Sequence, residues 1–142
     1  MTVQILAITL ARGGSKGVKN KNIKKINGKP LISYTIKEAK KSKYINDYIV
    51  STDSKEIAKI SQKCGANVPF LRPKKISSDK ASSVDALIHA TIQMEKIKNK
   101  KYDYVIELMC TNPLKNSVDI DKCIEILCEE DADTVIAVHK LE

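Results

Sequence analysis

The chain has 142 residues, 42% hydrophobic and 30% charged, with a formal net charge of +8. Such a length and balance suit one domain with a real core and exclude a disordered chain. The positive excess is almost all lysine, only Arg12 and Arg72 being arginine; with one Phe and no Trp there is little for base stacking, so no nucleic-acid partner is expected.

The first element is an uninterrupted apolar run, Val3 to Leu10, which reads as a strand buried on both faces. Ala11 to Asn22 follows it and carries Gly13, Gly14, Gly17 and Ser15 among the cations Arg12, Lys16, Lys19 and Lys21. Glycines let the backbone turn sharply and come close to a ligand. Exposed N–H groups and cations can then surround a polyphosphate. The spacing Gly13 to Gly17 is one residue short of a Walker loop, and no helix opens directly as a dinucleotide fingerprint requires.

Leu31 to Lys41 reads as a helix with Leu31, Ile32, Thr35, Ile36 and Ala39 on one face. Tyr48 to Ser51 is a short strand, and Asp53 with Glu56 reads as a capping pair for a helix through Cys64, ended by Gly65. Asn67 to Phe70 is expected to be a third strand. Ser82 with Asp85 caps the next helix, with Val84, Leu87, Ile88, Thr91 and Ile92 as its buried stripe. Tyr104 to Met109 is the fourth strand. Ser117 opens a helix that turns Ile120, Ile124 and Leu127 inward, its Asp119 and Asp121 being assigned to the helix dipole. Thr134 to Val138 is a fifth strand. This alternation argues an α/β fold with a doubly wound, mostly parallel sheet, residues 1–142 forming one nucleotide-binding domain.

Cys64, Cys110, Cys123 and Cys128 are scattered, His89 and His139 are isolated, and zinc spacing is absent, so the cysteines read as reduced, mostly buried thiols. No apolar run approaches the roughly 20 residues that span a bilayer, and Met-Thr-Val-Gln lacks a cationic leader. No membrane partner is expected, and the cytoplasm is the expected location.

Taken in order, Arg12-x-Gly14-Ser15-Lys16-Gly17, Lys21-Asn22, Asn27-Gly28-Lys-Pro30-Leu31, Ile49-Val-Ser-Thr-Asp53, Leu71-Arg72-Pro73, Ser78-Asp79-Lys-Ala-Ser82-Ser83 and Thr111-Asn112-Pro113-Leu114-Lys115 resemble the motifs of the acylneuraminate cytidylyltransferases. The resemblance covers nearly the whole chain. It implies a Rossmann-like nucleotide-diphospho-sugar transferase fold. It also implies attack by the anomeric hydroxyl of a sialic-acid-like 2-keto sugar acid on the α-phosphate of cytidine triphosphate (CTP), releasing pyrophosphate. Arg12 and Lys21 would be catalytic. Ala11, Gly13, Gly14, Ser15, Lys16, Asn22, Arg72, Asp79, Ala81 and Ser82 would bind nucleotide. Met109, Thr111 and Asn112 would face an acidic nine-carbon sugar.

Arg72 suits the O2 and N3 acceptors of cytosine, with a surface ion pair to Asp79 as its alternative. Relatives carry Gln-Pro-Thr-Ser-Pro-Leu-Arg where this chain has Met109 to Lys115, so Met109, Cys110, Asn112 and Lys115 depart on the sugar side. The resemblance further implies magnesium, held in part by a late aspartate that these residues do not include, and a homodimeric full-length protein. The chain is therefore expected to be an N-terminal fragment with no metal ligands of its own. A sugar nucleotidyltransferase using another triphosphate such as GTP, or a non-catalytic nucleotide-binding remnant, are the alternatives.

Overall fold

The computed structural model describes residues 3–14 and 20–136. β1 (Ile5–Leu10) is followed by a small antiparallel ribbon, β2 (Lys25–Ile26) and β3 (Lys29–Pro30), and by α1 (Leu31–Lys41). β4 (Asp47–Ser51) and α2 (Lys55–Lys63) come next, then α3 (Ser83–Lys98), β5 (Tyr104–Glu107) and α4 (Ser117–Glu129).

β1 lies at the centre of a parallel sheet ordered β4-β1-β5, with Ile8 beside Ile49 on one side and Glu107 on the other. Its side chains alternate between two cores. Leu6 and Ile8 pack with Ile49 against Ala90 and Met94 of α3. Ile5 and Ala7 meet Ala39 of α1, Leu108, and Ile120 and Ile124 of α4. Val50 joins Ile32 and Ile36 of α1 and Ile57 of α2 on that same side. Helices on both faces explain why β1 reads as a continuous apolar run. From β1 the chain goes first to β4 on one side and later to β5 on the other. That reversal leaves a crevice beyond the C-terminal ends of the strands.

Several expectations need correction. Asn67 to Phe70 forms one parallel bridge, Asn67 to Ile49, and no ladder. Pro69 lacks the N–H that a ladder needs. The ladder of β5 stops at Glu107 rather than Met109. Thr134 to Ile136 are not in a strand, and residues 137 and 138 lie outside the described residues. On α3, Val84, Ile88 and Ile92 are exposed, whereas Ala86, Ala90 and Met94 are buried. This helix is apolar around most of its circumference, so periodicity does not select a face. Small Ala86 and Ala90 allow close approach to β1.

Asp121 does not serve the dipole of α4. It is buried, and its carboxylate accepts from Ser42 Oγ and from Lys43 N at 3.1 and 3.3 Å, tying the end of α1 to α4. The four cysteines are free thiols, but only Cys110 is buried and Cys128 is exposed. No helix among the described residues is long and apolar enough to cross a membrane.

Candidate functional site

A cleft of about 430 Å³ opens at the C-terminal ends of β1 and β5. That volume is within the range of small-molecule sites, roughly 300–1,000 Å³. Four parts of the chain wall it: Leu10 and Arg12 with Lys21 and Asn22, Arg72, residues from Ile76 to Ser83, and residues from Glu107 to Thr111. Of the residues expected to act, Arg12, Lys21, Asn22, Arg72, Asp79, Ala81, Ser82, Met109 and Thr111 all line it.

The first wall is the loop that leaves β1. Ala11 is fully buried and its N–H donates to Ser51 O at 3.0 Å, so it anchors the loop rather than lining the cleft. Gly13 N–H donates to Asp53 Oδ1 at 2.8 Å. A Cβ on Gly13 would stand 3.0 Å from Ser54 Cβ, which explains glycine at this close approach. Asp53 is therefore a brace for the loop. The cap of α2 is Ser54, whose Oγ accepts from Ile57 N at 3.2 Å. Asn22 is buried, and its Nδ2 donates to Arg12 O at 3.4 Å. Lys21 opens a 3-10 turn over Lys21–Ile23 and is half-buried. Ser15 and Lys16 lie outside the described residues. Gly13 and Gly14 line a second hollow of about 760 Å³, shared with Asp53, Lys55, Arg72 and Lys74.

Arg72 is the unusual group. Its N–H donates to Thr52 O at 2.8 Å, and its side chain is almost wholly enclosed, at 6% exposure. Nε and Nη2 have no hydrogen-bond partner among the described residues. Burial pushes its pKa below that of an ordinary guanidinium; Asp53 opposes this and Arg12 adds to it. A buried cation with unpartnered donors is costly unless a ligand supplies acceptors. The expected alternative, an ion pair from Arg72 to Asp79, does not form. Asp79 pairs with Arg12. Ser82 holds both of its expected roles: it lines the cleft, and its Oγ caps α3 by accepting from Asp85 N at 3.1 Å. Ala81 N–H is already used within a turn, donating to Ser78 O at 3.1 Å.

On the far wall Met109 is exposed at 57% and presents an apolar side chain. Cys110 behind it is buried, and that burial pushes its thiol up to about 11. Asn112 does not line the cleft. Its carbonyl accepts from Lys115 Nζ, as does Met109 O, while Lys115 also donates to Thr35 Oγ1 at 2.9 Å. Lys115 thus clasps the loop to α1. Desolvation lowers its pKa, with Cys110 opposing.

Sequence reasoning missed Glu107, which lines the cleft. The available signal was a lone acidic residue interrupting the apolar run Tyr104 to Met109. Among the described residues no three His, Cys, Asp or Glu side chains converge as metal ligands. Of the two cleft carboxylates, Asp79 is engaged by Arg12. These donors do not by themselves fit a caged magnesium ion, which prefers several oxygen ligands in octahedral order.

The sheet and its helices define an α/β domain with the Rossmann-like nucleotidyltransferase fold. The chain belongs to the cytidylyltransferase family, whose profile matches residues 6–142. It is 43% identical over 133 residues to "Post-translational flagellin modification protein B" of Campylobacter coli, covering 94% of this chain and 57% of that protein. It is 37% identical over 137 residues to a pseudaminic acid cytidylyltransferase of Campylobacter jejuni, covering 96% of this chain and 59% of that protein. The chain thus spans well under two thirds of these relatives. A solved CMP:2-keto-3-deoxy-manno-octonic acid synthetase complexed with CTP aligns with a TM-score of 0.75 at 20% identity, covering 91% of this chain and 49% of that one. At that identity the likeness is one of fold.

Proposed function

We propose that the cleft binds CTP and serves the transfer of cytidine monophosphate (CMP) to the anomeric hydroxyl of a sialic-acid-like 2-keto sugar acid. The hydroxyl oxygen attacks the α-phosphorus, the bond to the β-phosphate oxygen breaks, pyrophosphate leaves and the hydroxyl proton passes to solvent. The observation that carries this reading is Arg72, buried in the wall with two guanidinium nitrogens unpartnered. Cytosine O2 and N3 are acceptors suited to that fork. Arg12 and Lys21 stand in the same cleft to take phosphate oxygens, where charge accumulates during transfer.

On the sugar side an apolar Met109 supports an acidic nine-carbon sugar other than N-acetylneuraminate, and the similarity to a pseudaminic acid cytidylyltransferase supports the same choice. Magnesium would arrive on the triphosphate, since the cleft's own carboxylates are too few to cage it. The resemblance implies a homodimer for the whole protein, and the cytoplasm is the location proposed for it.

Titration calorimetry with CTP tests the phosphate assignment. Arg12→Ala and Lys21→Ala should each weaken binding by about 1–3 kcal/mol, as charge-assisted contacts do. Unchanged affinity in both variants would overturn it.

A further inference from the structure

Arg12 and Asp79 are far apart in sequence, yet they close an ion pair across the mouth of the cleft, and both line it. The pair is only partly covered, its side chains being 30% and 40% exposed. Pairs this accessible contribute little stability and open cheaply. Among the described residues, Arg72, buried with unpartnered nitrogens, and Lys21 make no ion pair with Asp79. Asp79 thus covers the described cation that stands at the start of the glycine loop, where a phosphate would be met.

We propose that Asp79 is an internal stand-in for phosphate. Its carboxylate occupies Arg12 in the free protein, a triphosphate displaces it, and the pair closes again as pyrophosphate departs. This rests on the nucleotide reading of the cleft. The chemistry is a competition between two anions for one guanidinium fork, since carboxylate and phosphate both accept its N–H donors in the same planar geometry. A triphosphate brings more charge than one carboxylate and wins the exchange. Once displaced, Asp79 still stands beside the phosphates and repels them. Asp79 therefore lowers the affinity of every ligand whose phosphates reach Arg12 and leaves the base and ribose contacts alone. It sets how much of the triphosphate's charge is converted into affinity, and it counteracts retention of the leaving group.

The test is calorimetric titration of CTP, cytidine and inorganic pyrophosphate into the wild-type chain, Asp79→Asn, Arg12→Ala and the double variant. Asp79→Asn should bind CTP and pyrophosphate about two- to fivefold more tightly, the scale of a surface pair. Cytidine affinity should not move. In the Arg12→Ala background, Asp79→Asn should give no more than a small residual gain, because the competition for Arg12 is gone. Equal loss of CTP and cytidine affinity in Asp79→Asn would overturn the proposal by placing Asp79 on the nucleoside. An undiminished gain in the Arg12→Ala background would overturn it as well, by reducing Asp79 to a general repulsive charge. If the wild-type chain bound neither CTP nor cytidine, the nucleotide reading itself would fall, and this inference with it.

Discussion

Arg72 holds a buried guanidinium with two unpartnered nitrogens; on the cytidine reading proposed above, these donors would meet the base where cytosine and uracil differ, cytosine N3 accepting a hydrogen bond and uracil N3–H donating one. Arg72→Ala should reduce the preference for CTP over uridine triphosphate by about 1–3 kcal/mol, the scale of one bidentate base contact, while part of the triphosphate affinity persists. Competition titrations with both nucleotides measure this, and an unaltered ratio would move base recognition elsewhere. Away from the cleft, Asp47 accepts from Tyr102 Oη at 2.6 Å and pairs with Lys100 at 2.9 Å and Lys98 at 3.5 Å. Burial alone would raise its pKa; the Tyr102 hydroxyl and the two ammonium groups outweigh that and hold it below the ordinary carboxylate range. A depressed folded pKa stabilises fully above the unfolded value, about 4, and the stabilisation is lost as pH falls through the folded value. Asp47→Asn should therefore cost about 1–2 kcal/mol at neutral pH, with the two proteins converging in acid, as denaturant melts across pH would record. That Arg12, Lys21 and Arg72 line one cleft was legible because their chemistry stands out in a glycine loop or after a strand. Glu107 was not, because its direction depends on the register of β5.

Among the elements, α1 was fully legible: the five residues assigned to its inner face, Leu31, Ile32, Thr35, Ile36 and Ala39, are the five that are buried. Its outer face is lysine-rich, so periodicity has contrast to work with. α3 lacks that contrast, and its inner face is chosen by alanines that fit against β1. Met94→Ala should cost about 2–5 kcal/mol, as large-to-small core changes do. Val84→Thr should stay within about 0.5 kcal/mol, being a surface change. Urea denaturation separates the two, and the reverse order would mean that the helix buries its other face. The β2–β3 ribbon was also in plain sight. Asn27 and Gly28 have φ of 52° and 77°, the left-handed pair that an Asn-Gly hairpin turn requires. Its strands are two residues each, too short to show a periodicity. The Lys115 clasp was hidden for a different reason: its three acceptors come from α1 and from loop carbonyls, which sequence does not bring together.

For the whole molecule, the doubly wound arrangement followed from alternation, and the position of the cleft followed from the reversal of strand order at β1. The outer strands did not follow, since Pro69 breaks one, and Thr134 to Ile136 carry no ladder. Every cleft wall is a segment that leaves the C-terminal end of a strand or leads into a helix. This is why residues as distant in sequence as Arg12, Arg72 and Met109 converge. The central claim is that this convergence recognises a cytidine nucleotide and not merely polyanions. The most direct measurement is calorimetric titration of the chain with CTP, GTP and inorganic tripolyphosphate under one buffer. One CTP per chain is expected, bound at least about tenfold more tightly than either competitor, a margin of about 1.4 kcal/mol. Tripolyphosphate binding as tightly as CTP, or a preference for GTP, would contradict the account.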